Sequence, residues 1–276
     1  MQALMEEFAA AMRLPLYRNA LIVGILVSVC AAALGVVLVL KKYSMIGHGL
    51  GEVGFFAMTL ASLVGLSDRP LLLAIPLCIL AAIGILYLSG KNGMSGDALI
   101  GILSTGALAA GVVLQTMIKG FKQDVYSALF GSIYGMTPDD VILSVVLSAA
   151  VIAVFVLMFN RLFAVTYDEV YARAAGVPTG IYQFILSALT AVTVVVGMRM
   201  MGAMLISSFI LFPALTARGL TRSFRGMVIA AALISLFSFI AGMLVSFLTD
   251  LPTGACVVCV SMLLFLISLP IRRIRG

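Results

Sequence analysis

His48 is the only histidine in the 276-residue chain, and Glu52 follows it by four residues within Ser44-Met45-Ile46-Gly47-His48-Gly49-Leu50-Gly51-Glu52. On a helix that spacing puts both side chains on one face. An imidazole and a carboxylate together can bind a borderline divalent ion such as zinc or manganese. Two ligands fall short of the about four that a tight zinc site takes. A symmetric dimer would supply a second pair, and weak retention suits an ion in transit. Alternatively, the two side chains hydrogen-bond to each other or to partner helices and fix packing. Gly47, Gly49 and Gly51 leave room here for a neighbouring helix, an ion or an unwound backbone.

The surroundings of the pair give it weight. Apolar residues make up 63% of the chain and charged ones 10%, with mean hydropathy +1.23. A soluble domain carries roughly 25% charged residues, so the solvent of this chain is mostly lipid. Ala20–Leu40, Ala98–Ile118, Val141–Phe159 and Met227–Leu248 contain no charge, and about 20 apolar residues cross the hydrocarbon layer. These runs are continuously apolar and lack the alternation of an outer-membrane barrel. Helices remain as the way to satisfy backbone groups in lipid. Within that frame Glu52 is the one acid well inside a span. A charge at membrane depth costs at least ~2.5 kcal/mol on insertion scales, which makes function the working hypothesis.

The expected fold is therefore an all-α polytopic membrane protein with about eight or nine transmembrane helices. Nine apolar segments lie at about 20–40, 46–66, 70–88, 98–118, 141–160, 180–197, 202–217, 227–248 and 253–270. Segment 46–66, rich in glycine, and segment 202–217, short and holding Pro213, are the ones open to being broken or re-entrant. With the C-terminus in the cytoplasm, Lys41, Lys42, Lys91, Arg161, Arg173, Arg218, Arg222, Arg225, Arg272, Arg273 and Arg275 fall inside. Arg13, Arg18, Arg69, Lys119, Lys122 and Arg199 fall outside. The excess inside supports this orientation. The net charge of +6 is spread between apolar segments, a topology signal and no footprint for nucleic acid. Residues 1–18 read as an amphipathic interfacial helix, since Leu4, Phe8 and Met12 recur at helical spacing. Glu6 and Glu7 ahead of Arg13 are the reverse of a leader's basic start. Residues 19–271 read as one transmembrane domain and 272–276 as a basic cytoplasmic tail. The longest polar connections are Lys119–Asp140 outside and Arg161–Thr179 inside.

The inner connection reads Thr166-Tyr167-Asp168-Glu169-Val170-Tyr171-Ala172-Arg173-Ala174-Ala175-Gly176-Val177-Pro178. Asp168 and Glu169 suit a helix start, and Gly176 with Pro178 suits its end. The spacing predicts a short cytoplasmic helix of about two turns over 167–177. It reads either as a capped connector or as a docking element whose small residues admit another protein.

Other signals carry less. Cys256 and Cys259 have metal-like spacing but lie in an apolar span, and Cys30 and Cys78 are isolated. Met198, Met200, Met201 and Met204 cluster at the outer ends of two spans, where softer ions or plain packing would both suit thioethers. Ser207 and Ser208, beside the carbonyl that Pro213 frees, suit a cavity or packing. Asp250-Leu251-Pro252 looks like a helix opener. Gly90-Lys91-Asn92 lacks the loop and hydroxyl of a phosphate-binding motif, so ATP chemistry would belong to a partner. One histidine cannot furnish the His-Glu-x-x-His of a membrane metalloprotease. A stand-alone secondary metal transporter or channel shares the logic of His48 and Glu52 but gives the inner helix no role.

Six blocks in order carry a family resemblance: Ser44–Ala57, Gly101–Leu114, Leu129–Gly135, Tyr167–Pro178, Gly202–Arg218 and Asp250–Ala255. In these the chain resembles the ABC-3 permeases of bacterial zinc, manganese and iron importers, from about residue 20 to 270. The resemblance implies a homodimer of permeases in the cytoplasmic membrane, two cytoplasmic ATPase subunits and an extracytoplasmic metal-binding protein. It implies no permanently bound cofactor, with a divalent metal as cargo, zinc first and manganese second. It makes Tyr167–Pro178 the coupling helix, with Asp168, Glu169, Ala172, Arg173 and Gly176 its working residues; at Gly176 the glycine backbone is what counts. It leaves room for Asp250-Leu251-Pro252 to contact the binding protein, and Lys119–Asp140 is the other candidate for that contact. In one respect the chain departs: the family usually has aspartate where His48 stands and histidine where Glu52 stands. The ligand types are kept and their order is reversed.

Overall fold

The computed structural model describes residues 15–43, 45–66, 69–91, 96–118 and 138–275. Residues 1–14 of the candidate amphipathic helix 1–18, residues 119–137 of the outer connection Lys119–Asp140 and the block Leu129–Gly135 lie outside the described residues, and residues 15–18 belong to the first long helix. Eleven helices are found among those described: α1 Pro15–Leu40, α2 Ile46–Leu63, α3 Leu71–Lys91, α4 Gly96–Met117, α5 Pro138–Leu157, α6 Phe159–Tyr167, α7 Glu169–Ala174, α8 Thr179–Met201, α9 Ala203–Leu220, α10 Phe224–Thr249 and α11 Thr253–Arg275. The described residues contain no strand.

Because in lipid every backbone N–H and C=O must be paired within the segment, each of the nine apolar segments forms one long helix, except that 141–160 breaks at Met158 between α5 and α6. Six are long and apolar enough to cross a membrane: α1, α4, α5, α8, α10 and α11. The apolar stretches of α3 and α9 are shorter, at Leu71–Ile85 and Leu205–Leu220. In α2 the apolar run is interrupted by His48 and Glu52. Neither segment suspected of breaking does so: α2 is continuous, and α9 runs through Pro213.

α1 lies at the centre. Nearly all of it from Val27 onward is buried, and it packs on α5, α8, α9 and α10. Its buried face is built from small and β-branched residues such as Ala31, Ala32, Val36 and Val37. That suits a medium in which helix association rests on close van der Waals contact, since lipid is as apolar as the residues themselves. Gly35 faces the backbone of Ile210 on α9. α4, α5, α10 and α11 form the periphery and turn Ile102, Val113, Ile142, Ile229, Leu233 and Ile267 outward, as lipid-facing surfaces require.

The inner connection contains two helices where the sequence predicts one. α5 ends at Leu157, α6 follows, and the helix expected over 167–177 is shortened to Glu169–Ala174, α7. Asp168 is the cause: its extended backbone (φ −147°, ψ 99°) separates α6 from α7, and its side chain accepts the Tyr171 N–H at 2.9 Å. That is an N-cap. α7 closes where expected, with Gly176 at φ +81° and Val177 N–H bonded to the Ala172 carbonyl at 3.0 Å.

Two further details differ from expectation. Asp250 closes α10 in a left-handed conformation (φ 53°) and does not open α11. The short link is held by the Ser246 hydroxyl, 2.6 Å from the Leu251 carbonyl and 2.8 Å from the Thr253 hydroxyl. The basic C-terminal residues to Arg275 continue α11 and form no separate tail.

Candidate functional site

His48 and Glu52 occupy the first two turns of α2, and the glycines between them explain how that helix is seated. A β-carbon on Gly51 would lie 2.5 Å from the Ala203 carbonyl oxygen of α9, and one on Gly47 would lie 3.3 Å from Ser207 Cα. Gly49 faces α4, where Ile100 Cγ2 would be 2.7 Å away. The room that the glycines provide is thus occupied by neighbouring helices. At about 100° per residue, His48 and Glu52 fall on the edge of α2 between the sides facing α9 and α4.

His48 Nε2 lies 3.4 Å from Glu52 Oε1. The imidazole is partly open, its side chain 31% exposed, while the carboxylate side chain is 5% exposed. Glu52 Oε2 is buried with no hydrogen-bond partner among the described residues. A buried acceptor left unmade costs about 1–3 kcal/mol, more for a charged group. That oxygen is open to a further donor or to a cation. Among the described residues no three His, Cys, Asp or Glu side chains gather into a complete cage. The pair is open on its His48 side.

The secondary candidates separate. Cys256 is buried and Cys259 is exposed, so the two thiols do not share one environment. Met198 is buried against Gly54, next to the Cys78 sulfur; the side chains of Met200, Met201 and Met204 lie outside the described residues.

On and beside α7 the predicted residues divide by direction. Ala172 is buried against Val165 and Val177. Glu169 points back to the bundle: Gln183 Nε2 donates to its Oε2 at 2.5 Å, and Lys41 Nζ lies 3.6 Å from the same atom. Arg173 Nη2 donates to Glu169 Oε1 at 3.1 Å, and Arg173 Nε to Thr179 Oγ1 at 3.3 Å. Burial pushes the Lys41 ammonium below its usual range, against the pull of Glu169. Val170 and Tyr171 on α7, with Tyr167 at the end of α6, are large apolar and aromatic side chains turned outward and largely exposed. The spacing analysis did not single out Lys41, Gln183, Val170 or Tyr171.

A second buried ion pair joins Arg199 at the end of α8 to Asp140 at the start of α5. Both were read as outer-loop charges. Each of the two pairs joins positions that the charge distribution had put on the same side of the membrane.

A helical bundle with apolar flanks, built round α1 and carrying a His–Glu pair on α2, defines a polytopic membrane protein. A model of the ABC 3 transport family matches residues 13–272, and the chain belongs to that family. It is 30% identical to the high-affinity zinc uptake system membrane protein ZnuB of Haemophilus influenzae, over 91% of this chain and 95% of the relative. It is 28% identical to the manganese transport system membrane protein MntC of Halalkalibacterium halodurans, over 91% and 85%. Among solved structures, PsaBC from Streptococcus pneumoniae in complex with Fab superposes with a TM-score of 0.85 at 28% identity, covering 96% of this chain and 95% of that one. The chain is accordingly a multi-pass permease of the bacterial inner membrane, a transport subunit and not itself an enzyme.

Proposed function

We propose that this chain is the permease of an ATP-driven importer that carries a divalent transition metal into the cytoplasm, with zinc the first choice and manganese the second. The observation that carries the reading is the buried Glu52 carboxylate, one oxygen facing His48 and the other unpartnered. An ion crossing the bundle meets there one imidazole and one carboxylate, enough to replace part of its hydration shell and too few to trap it. The reversed order of the ligands along α2 keeps both on one edge. A second copy of the permease, set against the open side of His48, would complete the coordination.

α7 is the docking helix for a cytoplasmic ATPase. Val170 and Tyr171 offer the contact surface, Asp168 and Gly176 fix the helix ends, and Ala172 seats the helix on its own chain. An extracytoplasmic binding protein delivers the ion at the opposite face. Zinc and manganese relatives stand at similar identity, 30% and 28%, so the preference for zinc rests on the imidazole ligand. Competitive uptake of zinc and manganese into proteoliposomes, with ATPase and binding protein present, tests the reading. Saturable, ATP-dependent zinc uptake that is lost in both His48→Ala and Glu52→Ala supports it; unchanged uptake in both returns the pair to packing.

A further inference from the structure

The ends of α1 and α7 meet at a buried lysine. Lys41 follows the last residue of α1, and its side chain is only 9% exposed. A cation so enclosed demands a partner, and Glu169 of α7 supplies it. The Glu169 carboxylate is shared between Lys41, Gln183 on α8 and Arg173 on α7 itself. One side chain of the cytoplasmic helix thus grips two helices of the bundle.

The segment beyond Lys41 has little slack. Tyr43 N–H bonds to the Leu38 carbonyl at 2.9 Å and Lys42 N–H to that of Val39 at 3.3 Å, with Lys42 held at φ 63°. Ile46 N–H then bonds to the Tyr43 carbonyl and His48 N–H to that of Met45, both at 3.1 Å. These bonds tie the residues on either side of position 44, from Lys42 and Tyr43 at the end of α1 to Ile46 and His48 in α2.

We propose that the Lys41–Glu169 ion pair is the link through which displacement of α7 reaches the α1–α2 turn and with it the His48–Glu52 pair. The inference rests on α7 being the ATPase-docking helix. Lys41 is then a positioning residue: it does not touch the ion, and it sets where the helix carrying the ligands stands when the ATPase moves. Arg173 and Gln183 orient the Glu169 carboxylate toward it. A pair that merely held α7 in place would change stability and ATPase association; a link changes the number of ions moved per ATP.

The test uses the full permease with its ATPase and binding protein in proteoliposomes, with zinc uptake, manganese uptake and ATP hydrolysis measured side by side. Lys41→Glu and Glu169→Lys are each expected to lower ions moved per ATP by about tenfold, the scale of mutations along a coupling route, with the ATPase still bound. The exchange Lys41→Glu/Glu169→Lys is expected to recover most of that loss, and Lys41→Arg to retain coupling. Lys41→Met keeps the apolar stem and leaves Glu169 bonded to Gln183 and Arg173, which covers the case where charge reversal blocks assembly. An unchanged ratio in the single variants and in Lys41→Met overturns the proposal, as does an exchange variant that assembles but recovers nothing. If no ATPase co-purifies with the unaltered chain, it is the docking role of α7 that fails.

Discussion

The carbonyl oxygen of Ala203 lies 2.5 Å from where a β-carbon on Gly51 would stand. Backbone against backbone, α2 and α9 leave no room there for a methyl group. Gly51→Val is expected to push α2 away from α9, at about 1–3 kcal/mol for overpacking, and to displace His48 and Glu52 on either side. Loss of zinc uptake together with a lower melting temperature of the detergent-purified protein is the expected result. Gly84 in α3 has nothing within 4 Å of its β-position, so Gly84→Ala serves as the control and should leave both measurements unchanged or improved.

The Asp140–Arg199 pair should behave as a buried ion pair. Arg199→Met or Asp140→Ala breaks the pair, and each is expected to lower the melting temperature. The double variant Asp140→Ala/Arg199→Met removes both charges and should be more stable than either single one. Thermal unfolding of the three purified variants checks the order. If the effects simply add, the two charges do not depend on each other.

Glu52 presents a function–stability conflict. Its Oε2 is buried and unpartnered, an arrangement that costs stability and is kept where function uses it. Glu52→Leu is therefore expected to abolish metal uptake while its melting temperature stays equal to or above that of the unaltered protein. A marked fall in stability would mean that the carboxylate holds α2 in place.

The helices were legible because lipid admits no other backbone solution for long apolar runs. The cap at Asp168 and the turn at Gly176 were legible because both act within a few residues of themselves. His48 and Glu52 were visible as a pair because helical spacing alone joins them. What could not be read were the relations that only packing creates. Arg199 and Asp140 are 59 residues apart and look, in sequence, like two unrelated loop charges. Lys41 looks like one more inside-positive residue until α7 is folded back onto α1. The inward turn of Glu169 follows from the same packing: an acid at a helix start is usually assigned to the dipole, whereas here it serves two neighbouring helices. The break between α5 and α6 at Met158 has no proline or glycine to announce it.

Gly176 tests how far the seating of α7 depends on one backbone conformation. At φ +81° an L-residue pays about 1–2 kcal/mol for a left-handed backbone, although a β-carbon would meet nothing within 4 Å. Gly176→Ala should therefore lower stability without any steric clash and reduce uptake by loosening the bond from Val177 N–H to the Ala172 carbonyl. Gly176→Asn, which tolerates that region better, should fall between the two. Equal uptake in all three would remove the conformational role of this glycine.

The last expectation concerns the outward face of α7. Val170 is 81% exposed and Tyr171 72%, on a helix otherwise tied to the bundle through Glu169 and Ala172. Large apolar side chains in water at a membrane surface are a contact surface in want of a partner, and an aromatic residue is a common anchor of such contacts. Val170→Asp and Tyr171→Asp leave the bonds of Glu169 untouched and should not disturb folding. Each is expected to weaken ATPase co-purification and to lower metal-dependent ATP hydrolysis, the tyrosine more strongly, by about 2 kcal/mol or more if it is a binding hot spot. Substitution at Leu157, which is equally exposed at 85% but ends a membrane span, should leave ATPase binding intact. If Leu157→Ala and Tyr171→Asp weaken the complex alike, the contact is spread over the whole inner surface and α7 has no privileged part in it.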